Sequence, residues 1–267
     1  MTGTPSDEEL ASFAARLRLR AVRMVAPHGF GYLGQALSSA EQFAALHLTA
    51  YRPGTDLLVV SPGHYIIAAF AAAAELGRLG EDELATYGQD GSRLEAIGTD
   101  RSPAVDLTCG SLGQGLSGGV GFALSHRLRG ETGRRVFVVV SDGELEEGQL
   151  WEAAMFAAHH RLPVTVLLDA NDSQVDGPVS AITTVEPIAA RWESFGWTAI
   201  EVDGHDARAV ADALAAAGAG EGPAVVVART STVHGIDALP PDADGHFIKL
   251  PPELAEAAIA ELEGHRA

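Results

Sequence analysis

The 267-residue chain has a single cysteine, Cys109. One thiol cannot close a disulfide within the chain or supply the paired cysteines of a zinc site, and it suits a reducing compartment. Positive charge is also scarce: 18 Lys and Arg stand against 36 Asp and Glu, for a formal net charge of −18. With no basic stripe, the chain lacks the clustered cations that a phosphate backbone requires, which argues against nucleic-acid binding. No run of about 18 uncharged apolar residues occurs. The N-terminus, MTGTPSDEELASFAARL, carries acidic residues where a secretory signal would be basic and then apolar. The expectation is a soluble, cytoplasmic protein that does not enter membranes. What is present is 46% hydrophobic residues. That is enough for a sizeable core and for one domain over residues 1–267.

Apolar residues recur at helical spacing from Leu10 to Val25 behind Ser6, Asp7 and Glu8, which suit a cap and first turn. A second helical stretch from about Ser38 to Thr49 follows the turn GFGYLGQ and completes a helical lead-in over about 7–50. Leu57 to Val60 reads as a short buried strand. An alanine-rich helix ends near Gly77, and a polar irregular region runs from about Gly80 to Asp106. The second half alternates four runs, RVFVVVS (135–141), PVTVLLDA (163–170), WTAIEV (197–202) and PAVVVAR (223–229), with helical segments such as Ala207 to Gly222. Runs that are apolar at every position predict strands covered on both faces. The fold class is therefore α/β, three layers with a mostly parallel central sheet. Ligands of such sheets bind beyond the carboxyl ends of the strands.

Two of those ends carry oxygen ligands. Asp142 follows strand 135–141 and Asn171 follows strand 163–170, 29 positions apart. A hard cation, Mg²⁺ or Ca²⁺, takes oxygens from one or two carboxylates, amide or backbone carbonyls and a ligand's phosphates. The candidate set is Asp142, the Asn171 amide oxygen and the Ser173 carbonyl, with Gly143 letting phosphates approach the backbone. An Asp-Gly after a strand is alone an ordinary turn. The paired strand ends give it meaning.

The segment SDGELEEGQLWEAAMFAAHHRLPVTVLLDANDSQVDG (141–177) resembles the matching segment of transketolase N-terminal subunits, with Ser141 in place of the first glycine of a GDG…N fingerprint. DLTCGSLGQGLSGGVGFAL (106–124) is similar to the family's TGSLGQG segment, and SPGHYIIAAFAAAAELG (61–77) to its Gly-His strand end. The similarity runs from about residue 10 to the C-terminus. It implies a thiamine diphosphate-binding fold, with thiamine diphosphate and Mg²⁺ (or Ca²⁺) as cofactors and transfer of a two-carbon ketol unit. His64, Gly110, Ser111, Gly143 and Glu144 would contact the cofactor together with Asp142 and Asn171, and Leu112 would lie against its thiazolium. Glu147, and Glu152 with it, would join a glutamate network reaching towards a partner.

The resemblance also implies what must come from elsewhere. In this family the glutamate that activates the aminopyrimidine ring belongs to a separate pyrimidine-binding domain. The partner expected is therefore a C-terminal transketolase subunit, in a heterotetramer of two of each chain. On the substrate side the match departs: Tyr32 and Ile97 stand where the family has histidines. His246, in GHFIKLPPE, fits the late active-site histidine better than His234 in STVHGID. An intact cofactor set with altered substrate residues points to a non-standard donor or acceptor in a specialised pathway. Two alternatives stand beside it: a 2-oxo acid decarboxylating or deoxyxylulose-phosphate-synthase-like subunit, and a non-catalytic scaffold.

Overall fold

The computed structural model describes residues 4–240, 243 and 245–264. Its strands are β1 (Phe30–Gly31), β2 (Leu57–Pro62), β3 (Leu107–Cys109), β4 (Val136–Ser141), β5 (Val164–Ala170), β6 (Thr198–Asp203), β7 (Ala224–Arg229) and β8 (Ile248–Lys249). Six of them form a parallel sheet in the order β3-β2-β4-β5-β7-β6, while β1 and β8 pair antiparallel as a small ribbon. The four long runs are β4 to β7; β4, β5 and β7 are buried on both faces as their patterning predicts, whereas β6, at the sheet edge, is exposed or half-buried at every position.

Side chains of a strand alternate between faces, and here both faces are buried. Val136, Val138 and Val140 of β4 join a cluster with Val164, Val166 and Leu168 of β5 and the helices Gln114–Leu128 and Gly148–His159. Phe137 and Val139 point the other way, into a larger cluster with Asp7–Val25, Ile66–Glu75, Ala207–Gly218 and Pro252–Gly264. Each such residue taken fully out of water contributes roughly 1.5–3 kcal/mol, so the all-apolar strands are the main driving element. No helix among the described residues is long and apolar enough to cross a membrane.

Two differences from the sequence pattern matter for the site. The helix expected from 38 to 49 divides into Leu33–Ser38, Ala40–Ala45 and a wider π turn at Leu46–Ala50. The break lies at Ser39, whose hydroxyl bonds back to the Gln35 carbonyl, a side-chain bond of the kind that competes with the helix ladder, while the Ser38 hydroxyl turns to Asp169. The other difference is that β1, β3 and β8 are only two or three residues long, too short to show a period. Inside the polar region 80–106, only Glu81–Leu84 forms a helix.

Candidate active site

From β2 the chain steps outward to β3 on one side, then returns to place β4 on the other side of β2. The crevice above the carboxyl ends of β2 and β4 is therefore the topological switch point, where α/β sheets bind ligands. Gly63 and His64 follow β2, Gly110 follows β3, Asp142 and Gly143 follow β4, and Asn171 follows β5. Register fixes them at one level: Pro62 pairs with Cys109, and Ser141 with Asp169. The β2 and β3 ends also touch directly, since a Cβ on Gly63 would lie 2.6 Å from the Cys109 carbonyl oxygen.

The floor of this crevice is a buried hydrogen-bond network. The Asp142 side chain accepts from the backbone N–H of Gly143 (2.9 Å) and of Asp172 (2.6 Å). The Asn171 amide oxygen accepts from Ser173 N–H at 3.0 Å, and its Nδ2 donates to Tyr65 Oη and to Asp169 Oδ2, each at 2.8 Å. Asp169, fully buried, also accepts from Ser38, Gln42, Tyr65 and Thr230. Asp169 thus orients Asn171, whose oxygen would otherwise be free to turn. Glu144 acts similarly at the β4 end. Its carboxylate, also fully buried, accepts from Ser61 Oγ, Gly113 N–H and Ser141 N–H, tying the β2, 110–115 and β4 ends together. Burial pushes it up to about 7 against the pull of those donors.

Asp142 is the residue that most clearly fits a cation. Burial pushes its carboxyl up to about 7; the N–H groups of Asp172 and Gly143 pull it back, while the neighbouring Asp169 and Asp172 push it further up. Among the described residues it pairs with no Lys, Arg or His. A buried carboxylate beside other carboxylates and amide oxygens is a donor set that a hard divalent ion completes. Asp142, Asn171 and the Ser173 carbonyl could hold it.

The mouth of the crevice is built differently. Tyr32 follows β1 and Phe247 precedes β8, and the ribbon register, Phe30 with Lys249 and Gly31 with Ile248, places them opposite one another. Around Tyr32 stand His64 at 5.2 Å, His246 at 5.6 Å and Phe247 at 5.1 Å between ring centroids; His64 and His246 are 4.9 Å apart. Burial and the nearby His246 push His64 down to about 3, so it is a neutral imidazole at physiological pH. Ile97 is 43% exposed and leans over Gly63 and Gly110. His234 is elsewhere, stacked on His205 at 3.6 Å beside the buried Glu41–Arg18 pair. Of the two late histidines, His246 is the one beside His64. Glu41, His205 and His234 do approach one another, but rings stacked at 13° aim their in-plane lone pairs side by side, not at one ion.

Gly110 and Ser111 are exposed and Leu112 half-buried, its carbonyl accepting from Gln149 Nε2 at 3.1 Å. Gly113, at φ 78°, packs where a Cβ would meet Glu147 at 2.8 Å. Glu147 and Glu152 lie on the outer side of the helix Gly148–His159 and its cap, where Met155 and Phe156 are exposed. They do not enter the buried network. Asp169, Tyr65, Ser38, Gln42 and Thr230 are not marked by the sequence patterns. The available signal is Asp169 itself, a carboxylate inside the apolar run VTVLLDA.

The family model for the transketolase thiamine diphosphate-binding domain matches residues 12–260. The chain belongs to this transketolase family. It is 35% identical over 246 residues to the 6-deoxy-6-sulfo-D-fructose transketolase subunit SqwG of Clostridium sp. (strain MSTE9), covering 88% of this chain and 89% of the relative. It is 32% identical over 270 residues to an apulose-4-phosphate transketolase subunit of Actinobacillus succinogenes, covering 97% of each. The transketolase structure from Campylobacter jejuni superposes with a TM-score of 0.87 at 25% identity, over 96% of this chain but 43% of that one. The chain is thus a transketolase-type, thiamine diphosphate-binding protein. These relatives carry transketolase names, which favours the transferase reading over the decarboxylating and scaffold alternatives.

Proposed function

We propose that the chain, acting as one domain, is the diphosphate-binding subunit of a two-polypeptide cytoplasmic transketolase, joined to a C-terminal subunit in an assembly of two copies of each. It transfers a two-carbon ketol unit. The observation that carries this reading is that His64, Asp142 and Asn171 follow the carboxyl ends of the adjacent strands β2, β4 and β5, over a network that leaves Asp142 without a cation partner among the described residues. When bound, thiamine diphosphate supplies the electron sink that lets a carbon–carbon bond next to a ketone break and re-form.

Each residue of this chain then has a task. Asp142, Asn171 and the Ser173 carbonyl would hold Mg²⁺ or Ca²⁺, which would supply positive charge for the diphosphate. Gly143 and Gly110 let the diphosphate approach the backbone, with Ser111 beside them. Glu144 keeps the strand ends in register from beneath. His64 and His246, close together and with His64 neutral, offer N–H donors to oxygens of the diphosphate and of the substrate. Leu112 forms an apolar face for the thiazolium. Glu147 and Glu152, on the helix rim, reach towards the partner.

Substrate choice falls to the mouth. Tyr32 and Ile97 replace imidazole donors with a phenol and an alkyl chain, and a site without a donor loses its preference for the hydroxyl that the donor would bind. The names of the sulfofructose and apulose phosphate relatives support a donor other than the ordinary linear ketose phosphates. The test is a screen of ketose donors and aldehyde acceptors with the chain reconstituted with its co-encoded polypeptide. Ketol transfer with a non-standard pair is expected; full activity on the ordinary linear pentose phosphates would overturn the substrate reading.

A further inference from the structure

Gln35 is 1% exposed on the short helix Leu33–Ser38, three residues beyond Tyr32. Its Nε2 lies 3.0 Å from the backbone oxygen of His246 and 3.2 Å from that residue's Nδ1. The carbonyl decides which end of the amide points there, because an oxygen can only accept and must be met by the NH₂ group. One hydrogen of that group serves the carbonyl and the other faces Nδ1. An N–H aimed at a ring nitrogen requires a lone pair on it, so the ring proton sits on Nε2. The other tautomer, or the imidazolium ion, would set two N–H groups against each other at 3.2 Å.

The surroundings make this contact rigid. A Cβ on Gly34 would fall 1.8 Å from the Gly245 carbonyl oxygen, so the two backbones are in direct contact and only glycine fits. Tyr32 stands edge-on to the His246 ring, and His64 flanks it. The orientation leaves Gln35 Oε1 buried with no hydrogen-bond partner. Turning the amide over would set that oxygen against the His246 carbonyl, so the orphaned atom is the cost of holding the ring.

We infer that Gln35 is a positioning residue that holds His246 as a neutral imidazole with its proton on Nε2. Its consequence for catalysis rests on the reading of His246 as an active-site residue; the tautomer itself does not. Gln35 thereby makes the late histidine a hydrogen-bond donor and not a proton acceptor at that atom.

The experiment is long-range ¹H–¹⁵N NMR of the full chain with labelled histidine, the His246 signals being assigned by their loss in His246→Asn. Expected in the wild type is a protonated Nε2 and an unprotonated Nδ1. In Gln35→Glu, whose carboxylate accepts from Nδ1–H, the proton pattern should invert or become doubly protonated. In Gln35→Leu, which keeps the packing and donates nothing, a minority Nδ1–H signal should appear. A wild-type Nδ1–H tautomer, or an unchanged exclusive Nε2–H form in whichever variants fold, would overturn the inference. Calorimetric cofactor binding on the same samples reports separately on the reading of the site, since the tautomer is read without cofactor.

Discussion

The floor and the mouth of the crevice are made by different means. The floor is polar, buried and closed: Asp169 receives five donors and Glu144 three. Few substitutions could keep every partner satisfied. The mouth is aromatic and partly open, with Tyr32, His64, His246 and Phe247 touching through ring faces and edges, and Ile97 exposed beside them. Ring contacts tolerate exchange of one ring for another; a fully subscribed carboxylate does not. On the proposed reading, Tyr32 and Ile97 at the mouth can change with the substrate while the metal set at the floor is kept.

This division is most exposed to test at Asp169. Asp169→Ala removes the acceptor for five buried donors, and should cost about 4 kcal/mol of stability, read as a fall in melting temperature of about 10 °C. A variant that melts like the wild type would show that the floor is not the rigid half.

Beneath the floor, Glu41 adjoins Gln42, one of the Asp169 donors, and forms a buried pair with Arg18 at 2.6 Å. Burial raises its carboxyl, but Arg18 and His205 outweigh that and hold it at about 2. A folded value below the ordinary 4.5 means that this stabilisation is present above about pH 4.5 and is lost as the pH falls from there towards about 2. Glu41→Gln, which strands Arg18, should cost roughly 3 kcal/mol at about pH 7 and flatten the acid limb of a denaturant-midpoint profile. An acid limb as steep as that of the wild type would mean that Glu41 contributes nothing to it.

Asp142→Asn keeps the size and an acceptor oxygen but deletes the charge. Metal-supported binding of thiamine diphosphate should weaken by more than about a hundredfold, the upper range for loss of a mere outer partner, with the fold intact by circular dichroism. Retained affinity would mean that another residue holds the metal. The mouth should respond least: Tyr32→His and Ile97→His should leave cofactor affinity within about twofold and change only the ranking of sugar donors in the reconstituted enzyme. If cofactor binding collapses instead, floor and mouth are not separable.

How far the sequence could be read follows the same division. β4, β5 and β7 are legible because apolar residues fill them almost throughout, β6 less so because Thr198, Glu201 and Asp203 interrupt it at the sheet edge, and Asp142 and Asn171 stand out because they end two of the apolar runs. The Gly-His and Gly-Ser-Leu-Gly-Gln-Gly segments are legible only through their resemblance to a family. Asp169 hides inside a strand, and its donors come from Ser38, Gln42, Tyr65 and Thr230, residues separated by up to 192 positions that only the folded chain assembles. The ribbon β1–β8 is two residues deep, so no periodicity announces it, yet its register is what carries His246 to His64. Gln35 gives no pattern at all; its role exists only as a pair of distances.

If this chain holds the diphosphate half of a thiamine enzyme and a partner supplies the rest, cofactor affinity must depend on both. Calorimetric binding of thiamine diphosphate with Mg²⁺, to the chain alone and then with the co-encoded polypeptide, tests that most directly. Affinity that appears or tightens strongly when the partner is added is the predicted result; absence of binding both alone and in the complex would contradict it.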